Sequence, residues 1–558
     1  MRKPCAAAIA GALIAAAAAA ADYTAAIAEL RGFLRTEMER LSIPCLSIAL
    51  VDGGDIVWEE AFGFQDRDAG VRATPATVYR VGSISKLFAA VAVMQLAERG
   101  VLDIEAPITA YAPELVFKNP FNPEVPITLR HLMAHRAGIL RESPVGSYFD
   151  PTEPGIGPTV RSFLGSELVH PVGAAEKYSN LGPTLAGYII EKVAGASFAE
   201  HVEKSVLAPA GMASSSFLPD TPAVRANLVK AFMVDFDGTF FPAPTFVLGT
   251  LPAGNLYSTA GDLARFMTAL LRGGEAPGGR LLSKASLDRM WRVQFPGRGP
   301  AGFGLGFFVN RMHDRTTISH SGAVYGFASA FVAMPEEKLG VVVLNNVDCA
   351  NGFNDKVVRT ALGAMLAAGR GVATPPLPRV IDIAPEALGA YEGKYRAPGR
   401  EAWVRAAGRE LRMRILGAEQ ILRPIAPDTF LSDGRLGYGT TYAFSRTGAG
   451  AVAGFTAGGV SYAAAPASAT AGATPPEWSA FAGKYGWPHN VMKLYVKDGR
   501  LTCLVEWFFE YPLAPAGRNR FTFPDFGLYE GEAIEFVEDA AGAITAARMG
   551  TVTFPRLP

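Results

Sequence analysis

The chain has 558 residues, of which 49% are hydrophobic and 19% are charged, and its 52 basic residues balance its 52 acidic ones. A chain of this length is too long for one hydrophobic core and long enough for two or three domains. Zero net charge and the lack of a basic block exclude the electrostatic footprint of a nucleic-acid-binding protein, so we expect a small-molecule or peptide substrate as the partner.

The N-terminus is typical of an export signal. Arg2 and Lys3 precede an alanine-rich apolar stretch, Ala6 to Ala21, whose small residues suit cleavage. The alternative is an uncleaved anchor, but the stretch is short and weakly hydrophobic for a spanning helix. We therefore predict a signal peptide at residues 1–21, a periplasmic or secreted product, and no stable membrane span.

Three cysteines remain after that segment, Cys45, Cys349 and Cys503. An odd number spread across the chain does not form a disulfide framework. We predict buried free thiols.

The first predicted strands form a hairpin. Leu46 to Val51 and Ile56 to Phe62 alternate in hydrophobicity around the turn Asp52-Gly53-Gly54-Asp55. Later strands, Phe327 to Met334 and Leu339 to Leu344, are predicted to close the same sheet, and a last helix packs on them. The pattern favours an α/β (α+β) domain with an antiparallel sheet.

The first candidate site string is Ser83-Ile84-Ser85-Lys86. Gly82 and Ser83 open a helical stretch from Ile84 to Glu98, which Gly100 terminates. A spacing of three puts the hydroxyl of Ser83 and the amine of Lys86 on one helix face, and the helix start supplies backbone N–H groups for an oxyanion. The alternative is an N-cap serine and a snorkelling lysine.

Two further strings follow, Tyr178-Ser179-Asn180 and His320-Ser321-Gly322. Each string is weak alone, but all three in this order favour a serine-hydrolase active site. A loop rich in proline and glycine, residues 139–172, comes just before Tyr178. We predict that it shapes the cleft and contributes to substrate choice.

The other histidines do not indicate a metal site. His131 and His135 lie four residues apart on a probable helix, as in half a metal site, but no third ligand follows. We expect neither a metal nor another cofactor.

The residues around these strings resemble the class C β-lactamase and penicillin-binding-protein superfamily, and within it the branch of D-aminopeptidases and β-lactamase-like esterases. The resemblance covers about residues 25–370. It includes VYRVGSISK (Val78 to Lys86), ITLRHLMAHRAGI (Ile127 to Ile139), KYSNLGPTLAGYII (Lys177 to Ile190), LPAGNLYSTAGDLARFM (Leu251 to Met267) and HSGAVYGFASAFVAMPEEKLGVVVLNN (His320 to Asn346).

The resemblance implies a role for each candidate residue. Ser83 attacks the carbonyl, while Lys86 and Tyr178 share the general-base and general-acid work, with the division between them left open. Asn180 holds the substrate and Lys86. The third string lies on an edge strand beside the cleft. Its residues are the catalytic His320, the substrate-binding Gly322, and Ala323, whose backbone N–H forms the oxyanion hole with that of Ser83.

His320 departs from many family members, which carry a substrate-binding lysine at this position. Because histidine is mostly neutral at pH 7, the substitution favours D-aminopeptidase or esterase chemistry. A β-lactamase or a D-Ala-D-Ala carboxypeptidase is the alternative. An alternative of another class is a non-catalytic penicillin-recognising sensor.

The chain changes character beyond the catalytic domain, which we place at residues 22–370. A proline-rich linker, residues 371–384, precedes a repeat in which Tyr391 to Tyr395 (YEGKY) recurs as Phe481 to Tyr485 (FAGKY). Alternating runs predict two small antiparallel β-barrels, residues 385–470 and 471–558. They resemble the lipocalin-like barrels of D-aminopeptidases. Substrate gating and a purely stabilising or partner-binding role stay open, as does the oligomeric state.

Overall fold

The computed structural model describes residues 21–235, 238–297, 299–466, 475–506 and 509–558. The predicted signal peptide, apart from Ala21, lies outside the described residues. The predicted helix and strands around the three strings all form, and the predicted α/β fold with an antiparallel sheet is confirmed.

An eight-stranded antiparallel sheet organises the region that contains the three strings. The predicted hairpin forms the strands Cys45–Asp52 and Asp55–Asp66 of this sheet, and the two predicted return strands form Phe327–Met334 and Leu339–Asn345. The strands of this region are β1 (Cys45–Asp52), β2 (Asp55–Asp66), β3 (Val71–Arg72), β4 (Tyr79–Arg80), β5 (Phe232–Val234), β6 (Phe240–Pro242), β7 (Tyr257–Ser258), β8 (Glu275–Ala276), β9 (Gly279–Arg280), β10 (Gly302–Phe303), β11 (Phe308–Met312), β12 (Arg315–Val324), β13 (Phe327–Met334) and β14 (Leu339–Asn345).

The large sheet has the strand order β10-β11-β12-β13-β14-β1-β2-β3. Three two-stranded ribbons lie outside it, β4 with β7, β5 with β6, and β8 with β9. The central strands of the large sheet are buried on both faces. Their sequences are therefore continuous apolar runs, as in the fully buried β14.

Helices cover both faces of this sheet. Val341 and Val343 of β14 point to one core, which the first and the twelfth helix complete, whereas Val342 and Leu344 point to the larger core around the second, fifth and tenth helices. The helices are α1 (Thr24–Leu41), α2 (Ser85–Glu98), α3 (Leu129–Met133), α4 (Ile156–Arg161), α5 (Leu181–Ala194), α6 (Phe198–Val202), α7 (Ala208–Ala210), α8 (Pro222–Asn227), α9 (Leu251–Gly254), α10 (Ala260–Leu271), α11 (Lys284–Met290), α12 (Asn351–Ala368) and α13 (Pro385–Leu388).

Short helical turns of other types complete the pattern. They are the 3-10 turns Gly82–Ile84, Ile108–Ala110, Gly389–Tyr391 and Pro476–Phe481 and the π-helical turn Glu203–Leu207. None of the helices in the described ranges combines the length and the apolar character needed to cross a membrane.

The first predicted barrel is an eight-stranded closed barrel. Its interior is filled with aromatic side chains, including Tyr395, Phe430 and Phe444, so it has a packed core. Its strands are β15 (Gly393–Ala397), β16 (Arg400–Ala407), β17 (Glu410–Ile415), β18 (Ala418–Ala426), β19 (Thr429–Asp433), β20 (Tyr438–Arg446), β21 (Val452–Ala457) and β22 (Val460–Ala464).

The second predicted barrel consists of a four-stranded and a five-stranded sheet around one core. A bridge between Tyr485 and Arg556 joins the outer strands of the two sheets. The strands are β23 (Gly483–Trp487), β24 (Asn490–Lys497), β25 (Arg500–Val505) and β26 (Phe509–Pro512) in the first sheet and β27 (Ala514–Pro515), β28 (Arg520–Thr522), β29 (Ala533–Glu538), β30 (Ile544–Met549) and β31 (Val552–Pro555) in the second.

This last β region, residues 475–558, docks on the loop that precedes Tyr178. Phe149 of that loop is fully buried and packs its ring 4.8 Å from that of Phe554 and 6.3 Å from that of Trp487. The docking brings the C-terminus of the chain close to the three strings.

Cys45, Cys349 and Cys503 are buried and free, as predicted.

Candidate active site

Ser83 and Lys86 lie where helix α2 begins. Ser83 sits in the 3-10 turn before the helix, with its side chain almost wholly buried, and Lys86 lies in the first helical turn. Their spacing brings Lys86 Nζ to 2.9 Å from Ser83 Oγ. The predicted contact between the hydroxyl and the amine is therefore present.

Lys86 is surrounded by oxygen atoms in a buried position. Its Nζ lies 2.8 Å from Asn180 Oδ1 and 2.7 Å from the carbonyl oxygen of Ala253. Burial lowers the pKa of this amine well below its usual value, and the positive charge of Arg141 lowers it further. A neutral amine can accept the proton of the Ser83 hydroxyl.

Tyr178 also contacts Ser83. Its hydroxyl hydrogen-bonds to Ser83, and Lys86 Nζ lies 5.1 Å from the centre of its ring. Burial raises the pKa of Tyr178 to about 12, although the bond to Ser83 acts in the opposite direction. The phenol consequently holds its proton at neutral pH.

Asn180 occupies the residue before helix α5 and connects two ionisable side chains, Lys86 and Glu142. Its Oδ1 faces Lys86, and its Nδ2 donates a bond of 2.6 Å to Glu142 Oε1. Both the asparagine and the glutamate are buried.

The third string lies on β12, beside the cleft. Neighbouring strand β11 pairs with β12 only from Arg315 to Ser319. The half from His320 to Val324 therefore has no neighbouring strand on that side among the described residues. The prediction that the whole strand lies at the sheet edge is wrong, because β10 and β11 lie outside β12. In this half of β12, the hydroxyl of Tyr148 donates a bond of 2.8 Å to the carbonyl oxygen of Ala323.

His320 is buried and neutral. Burial lowers its pKa to about 3, and the nearby Lys86 contributes. Its Nδ1 lies 2.7 Å from the carbonyl oxygen of Ser321, which can only accept, so Nδ1 carries the proton. Its buried Nε2 is an acceptor without a hydrogen-bond partner in the described part of the chain, and its ring centre lies 6.4 Å from that of Tyr178.

Two glycines allow β12 to approach the Ser83 turn. Gly82 has a φ of +54°, and a Cβ there would lie 2.8 Å from the backbone nitrogen of Ala323. A Cβ on Gly322 would lie 2.0 Å from the carbonyl oxygen of Val81. Only glycine at both positions brings the backbones of Ala323 and the Ser83 turn into contact, as the predicted oxyanion hole requires.

Sequence reasoning missed a pair of charged residues, Arg141 and Glu142. Both are buried, and Arg141 Nε lies 3.4 Å from Glu142 Oε1. The guanidinium of Arg141 lies 5.7 Å from the ring centre of Tyr178. Burial raises the pKa of Glu142 to about 7, against the effect of Arg141. The only signal in the sequence is an Arg-Glu pair directly after an apolar run in the loop predicted to shape the cleft.

Residues of the last β region hold this pair. Glu506 lies 3.5 Å from Arg141 Nη2, and Glu532 accepts a 3.0 Å bond from the Arg141 backbone N–H. Glu532 also lies 2.8 Å from Lys177 Nζ, next to Tyr178 in the chain. Segments of the chain nearly 400 positions apart thus meet beside the site.

His131 and His135 both bond to neighbouring groups of the chain. His131 closes a capping box with Thr128 at the start of α3. The ring of His135 lies 4.3 Å from that of Tyr178, and its Nδ1 accepts a bond from the Ser179 backbone N–H. Across the described ranges, no group of three or more His, Cys, Asp or Glu side chains is arranged to hold a metal ion.

Comparisons with known proteins identify the family of the chain. The sequence model of the family described as Beta-lactamase matches residues 30–362. Protein flp of Staphylococcus aureus (strain MRSA252) is 26% identical over 314 residues, which cover 56% of this chain and 61% of that protein. Beta-lactamase-like protein 2 of Dictyostelium discoideum is 26% identical over 325 residues, 56% of this chain and 58% of that protein. The chain thus spans about three fifths of the length of these curated relatives.

Solved structures share the fold. The octameric penicillin-binding protein homologue from Pyrococcus abyssi superposes with a TM-score of 0.57 at 22% identity and covers 87% of this chain and 99% of its own. SurE superposes with a TM-score of 0.51 at 21% identity and covers 80% of this chain and 100% of its own. With more than half of its length matched by the family model, the chain belongs to the beta-lactamase family and has a serine-hydrolase type of fold.

Proposed function

We propose that the chain is a serine hydrolase that cleaves an amide or ester bond through an acyl-Ser83 intermediate. The observation that carries the proposal is the buried amine of Lys86, held 2.9 Å from Ser83 Oγ. Burial lowers its pKa well below 10.5, which increases the fraction of neutral amine that can accept a proton.

In the acylation step, Lys86 takes the proton of the Ser83 hydroxyl as Oγ attacks the carbonyl carbon. The resulting oxyanion is stabilised by the backbone N–H groups of Ser83 and Ala323. Tyr178, which is protonated because its pKa is about 12, donates its proton to the leaving amine or alcohol. The C–N or C–O bond breaks, and the acyl group stays on Ser83.

In the deacylation step, water attacks the acyl carbon. The tyrosinate left on Tyr178 takes the proton of that water, and Lys86 returns its proton to Ser83 Oγ as the ester bond breaks. Both groups then recover their starting protonation states. The Ser83 hydroxyl and Tyr178 are already hydrogen-bonded, so no large movement is required.

The proposed substrates are those of a D-aminopeptidase-like or esterase-like enzyme. Many β-lactamases and carboxypeptidases of the family place a lysine where this chain has His320, and that lysine binds a substrate carboxylate. His320 is neutral, and the charge of Arg141 is already opposed by Glu142 and Glu506. An amide or ester without a carboxylate therefore suits the cleft better than a carboxylate-bearing lactam or a D-Ala-D-Ala end.

The test is hydrolysis of a p-nitrophenyl ester, a D-alanyl p-nitroanilide and a chromogenic cephalosporin by wild type and by Ser83→Ala. We expect turnover of the ester or the anilide that is lost in Ser83→Ala and kept in Ser445→Ala, a control at an exposed position of the first barrel. Turnover of the cephalosporin alone would favour a β-lactamase. Failure of a serine-directed phosphonate to label Ser83 would favour the non-catalytic sensor.

A second prediction concerns His320 and pH. Because its pKa is about 3, His320 stays neutral at the pH values at which the enzyme is expected to be active. Its titration therefore does not cause the fall of kcat/KM at acidic pH, the acid limb of the pH profile. We expect His320→Gln to lower kcat/KM by about 10-fold without moving that limb between about pH 5 and about pH 9. Measured pH profiles of kcat/KM check this. A limb that disappears in the variant would mean that His320 titrates in this range.

A further inference from the structure

We propose that Glu142 is a positioning residue that orients the Lys86 amine through the side chain of Asn180. The inference rests on the proposed function, because it concerns the protonation of Ser83. Glu142 makes no hydrogen bond to Ser83 or Lys86 in the described part of the chain, so it would act on them only indirectly.

The contacts form a relay of two bonds. Glu142 Oε1 accepts a bond of 2.6 Å from Asn180 Nδ2, and Asn180 Oδ1 accepts one of 2.8 Å from Lys86 Nζ. With a pKa of about 7, Glu142 is mostly ionised above neutral pH. The ionised carboxylate only accepts hydrogen bonds, so in this form the NH2 group of the amide must face Glu142. The amide oxygen is thereby forced to face Lys86.

The orientation of the amide decides where the lone pair of Lys86 points. A neutral amine has two N–H groups and one lone pair. Asn180 Oδ1 and the Ala253 carbonyl oxygen are both acceptors, at 2.8 Å and 2.7 Å, and they take the two N–H groups. The lone pair is left for the third neighbour, Ser83 Oγ, at 2.9 Å. A flipped amide would direct its NH2 group at Lys86 and compete with Ser83 for the lone pair.

The environment of Glu142 indicates a role beyond packing. The carboxyl is buried, and its Oε2 has no hydrogen-bond partner among the residues that the structure describes. Arg141 gives one contact at 3.4 Å, and Thr551 of the last β region bonds the Glu142 carbonyl oxygen at 3.2 Å. A buried carboxyl is destabilising unless it is hydrogen-bonded, and the hydrogen bond of Glu142 comes from Asn180, the residue that holds Lys86.

The test compares Glu142→Leu with Glu142→Gln. Leucine cannot accept a bond from Asn180, so we expect the rate constant for labelling of Ser83 by a serine-directed phosphonate to fall by about 10- to 100-fold. In Glu142→Gln the amide oxygen can still accept from Asn180, and we expect labelling within about 3-fold of wild type. For a hydrolysed substrate, the loss in Glu142→Leu should appear in kcat and not in KM.

A double-mutant cycle separates positioning from stability. If Glu142 acts through Asn180, then Glu142→Leu has little further effect on labelling in an Asn180→Ala background. Glu37→Leu, at another buried glutamate that bonds Arg40 and Lys356, is the control for destabilisation and should leave labelling of the folded protein unchanged. Melting temperatures accompany every variant.

The outcomes are distinguishable. If wild type is not labelled at Ser83, the proposed function fails. If wild type is labelled and Glu142→Leu reacts equally fast, or if its effect adds fully to that of Asn180→Ala, the function stands and the inference about Glu142 is overturned.

Discussion

The replacement Lys86→Met is expected to lower kcat/KM by about 10³-fold, within the range of general-base contributions. Methionine has about the length of lysine but cannot accept the Ser83 proton. In wild type the amine is held 2.9 Å from Ser83 Oγ, and burial lowers its pKa well below 10.5. The variant keeps the shape of the helix and removes the base.

The same variant should also change the pH profile. Lys86 is a base only when it is neutral, so in wild type kcat/KM falls as the pH decreases through the lowered pKa of Lys86. The depression of that pKa extends activity to lower pH than an ordinary lysine would allow. We expect the residual activity of Lys86→Met to lack this acid limb.

The matched control is Lys192→Met, the same substitution at a lysine that pairs with Glu114 on the surface. Lys192→Met should keep the wild-type kcat/KM and the acid limb of the pH profile, because surface ion pairs contribute little to stability. Steady-state kinetics and thermal unfolding of both variants are the measurements. A folded Lys86→Met enzyme with wild-type kcat/KM would exclude Lys86 as the base.

The sequence predicts those contacts of the site that join residues close together in the chain. Ser83 and Lys86 are three residues apart on a helix, and helical geometry alone brings them together. Tyr178 and His320 come from distant segments, and only their resemblance to a known family placed them beside Ser83. No local pattern fixes such distances.

Arg141 and Glu142 were not predicted, because their burial depends on segments far away in the chain. In sequence they are two charged residues in a loop, which ordinarily face solvent. Glu506 and Glu532 cover them only once the last β region has docked. The loop does adjoin the site, through the bond between Glu142 and Asn180, and its contribution to substrate choice stays a prediction.

The fold shows the same contrast. Alternation and a turn of small polar residues predict the hairpin of β1 and β2, which forms as expected. The repeat around Tyr395 and Tyr485 predicts two related β modules, but it does not show that one closes with eight strands while the other forms two sheets. Closure depends on strand tilt and stagger, which a repeated pentapeptide does not encode.

The last β region should matter to catalysis, and Glu532→Gln tests it. Glu532 and Lys177 form a pair at 2.8 Å, with side chains 3% and 2% exposed. The same carboxylate accepts the backbone N–H of Arg141. One side chain therefore ties the segment before Glu142 to the segment before Tyr178.

Loss of its charge leaves Lys177 buried without a counter-ion, and burial already lowers the pKa of that amine. Breaking a buried pair in this way costs about 3 to 5 kcal/mol, so we expect the free energy of unfolding to fall by about 3 kcal/mol. We also expect kcat to fall by about 10-fold, because Tyr178 and Glu142 lose a common anchor. Denaturant unfolding and steady-state kinetics measure the two effects.

Two further variants identify the cause. Glu535→Gln, on β29 and one-third exposed, contacts Arg548 and should change the free energy of unfolding by less than about 1 kcal/mol. Lys177→Met combined with Glu532→Gln removes the unpaired charge, and it should recover much of the stability lost in Glu532→Gln alone. If kcat recovers with it, the ion pair acts on catalysis through the position of the loops. If Glu532→Gln alone leaves both kcat and unfolding unchanged, the last β region does not brace the site.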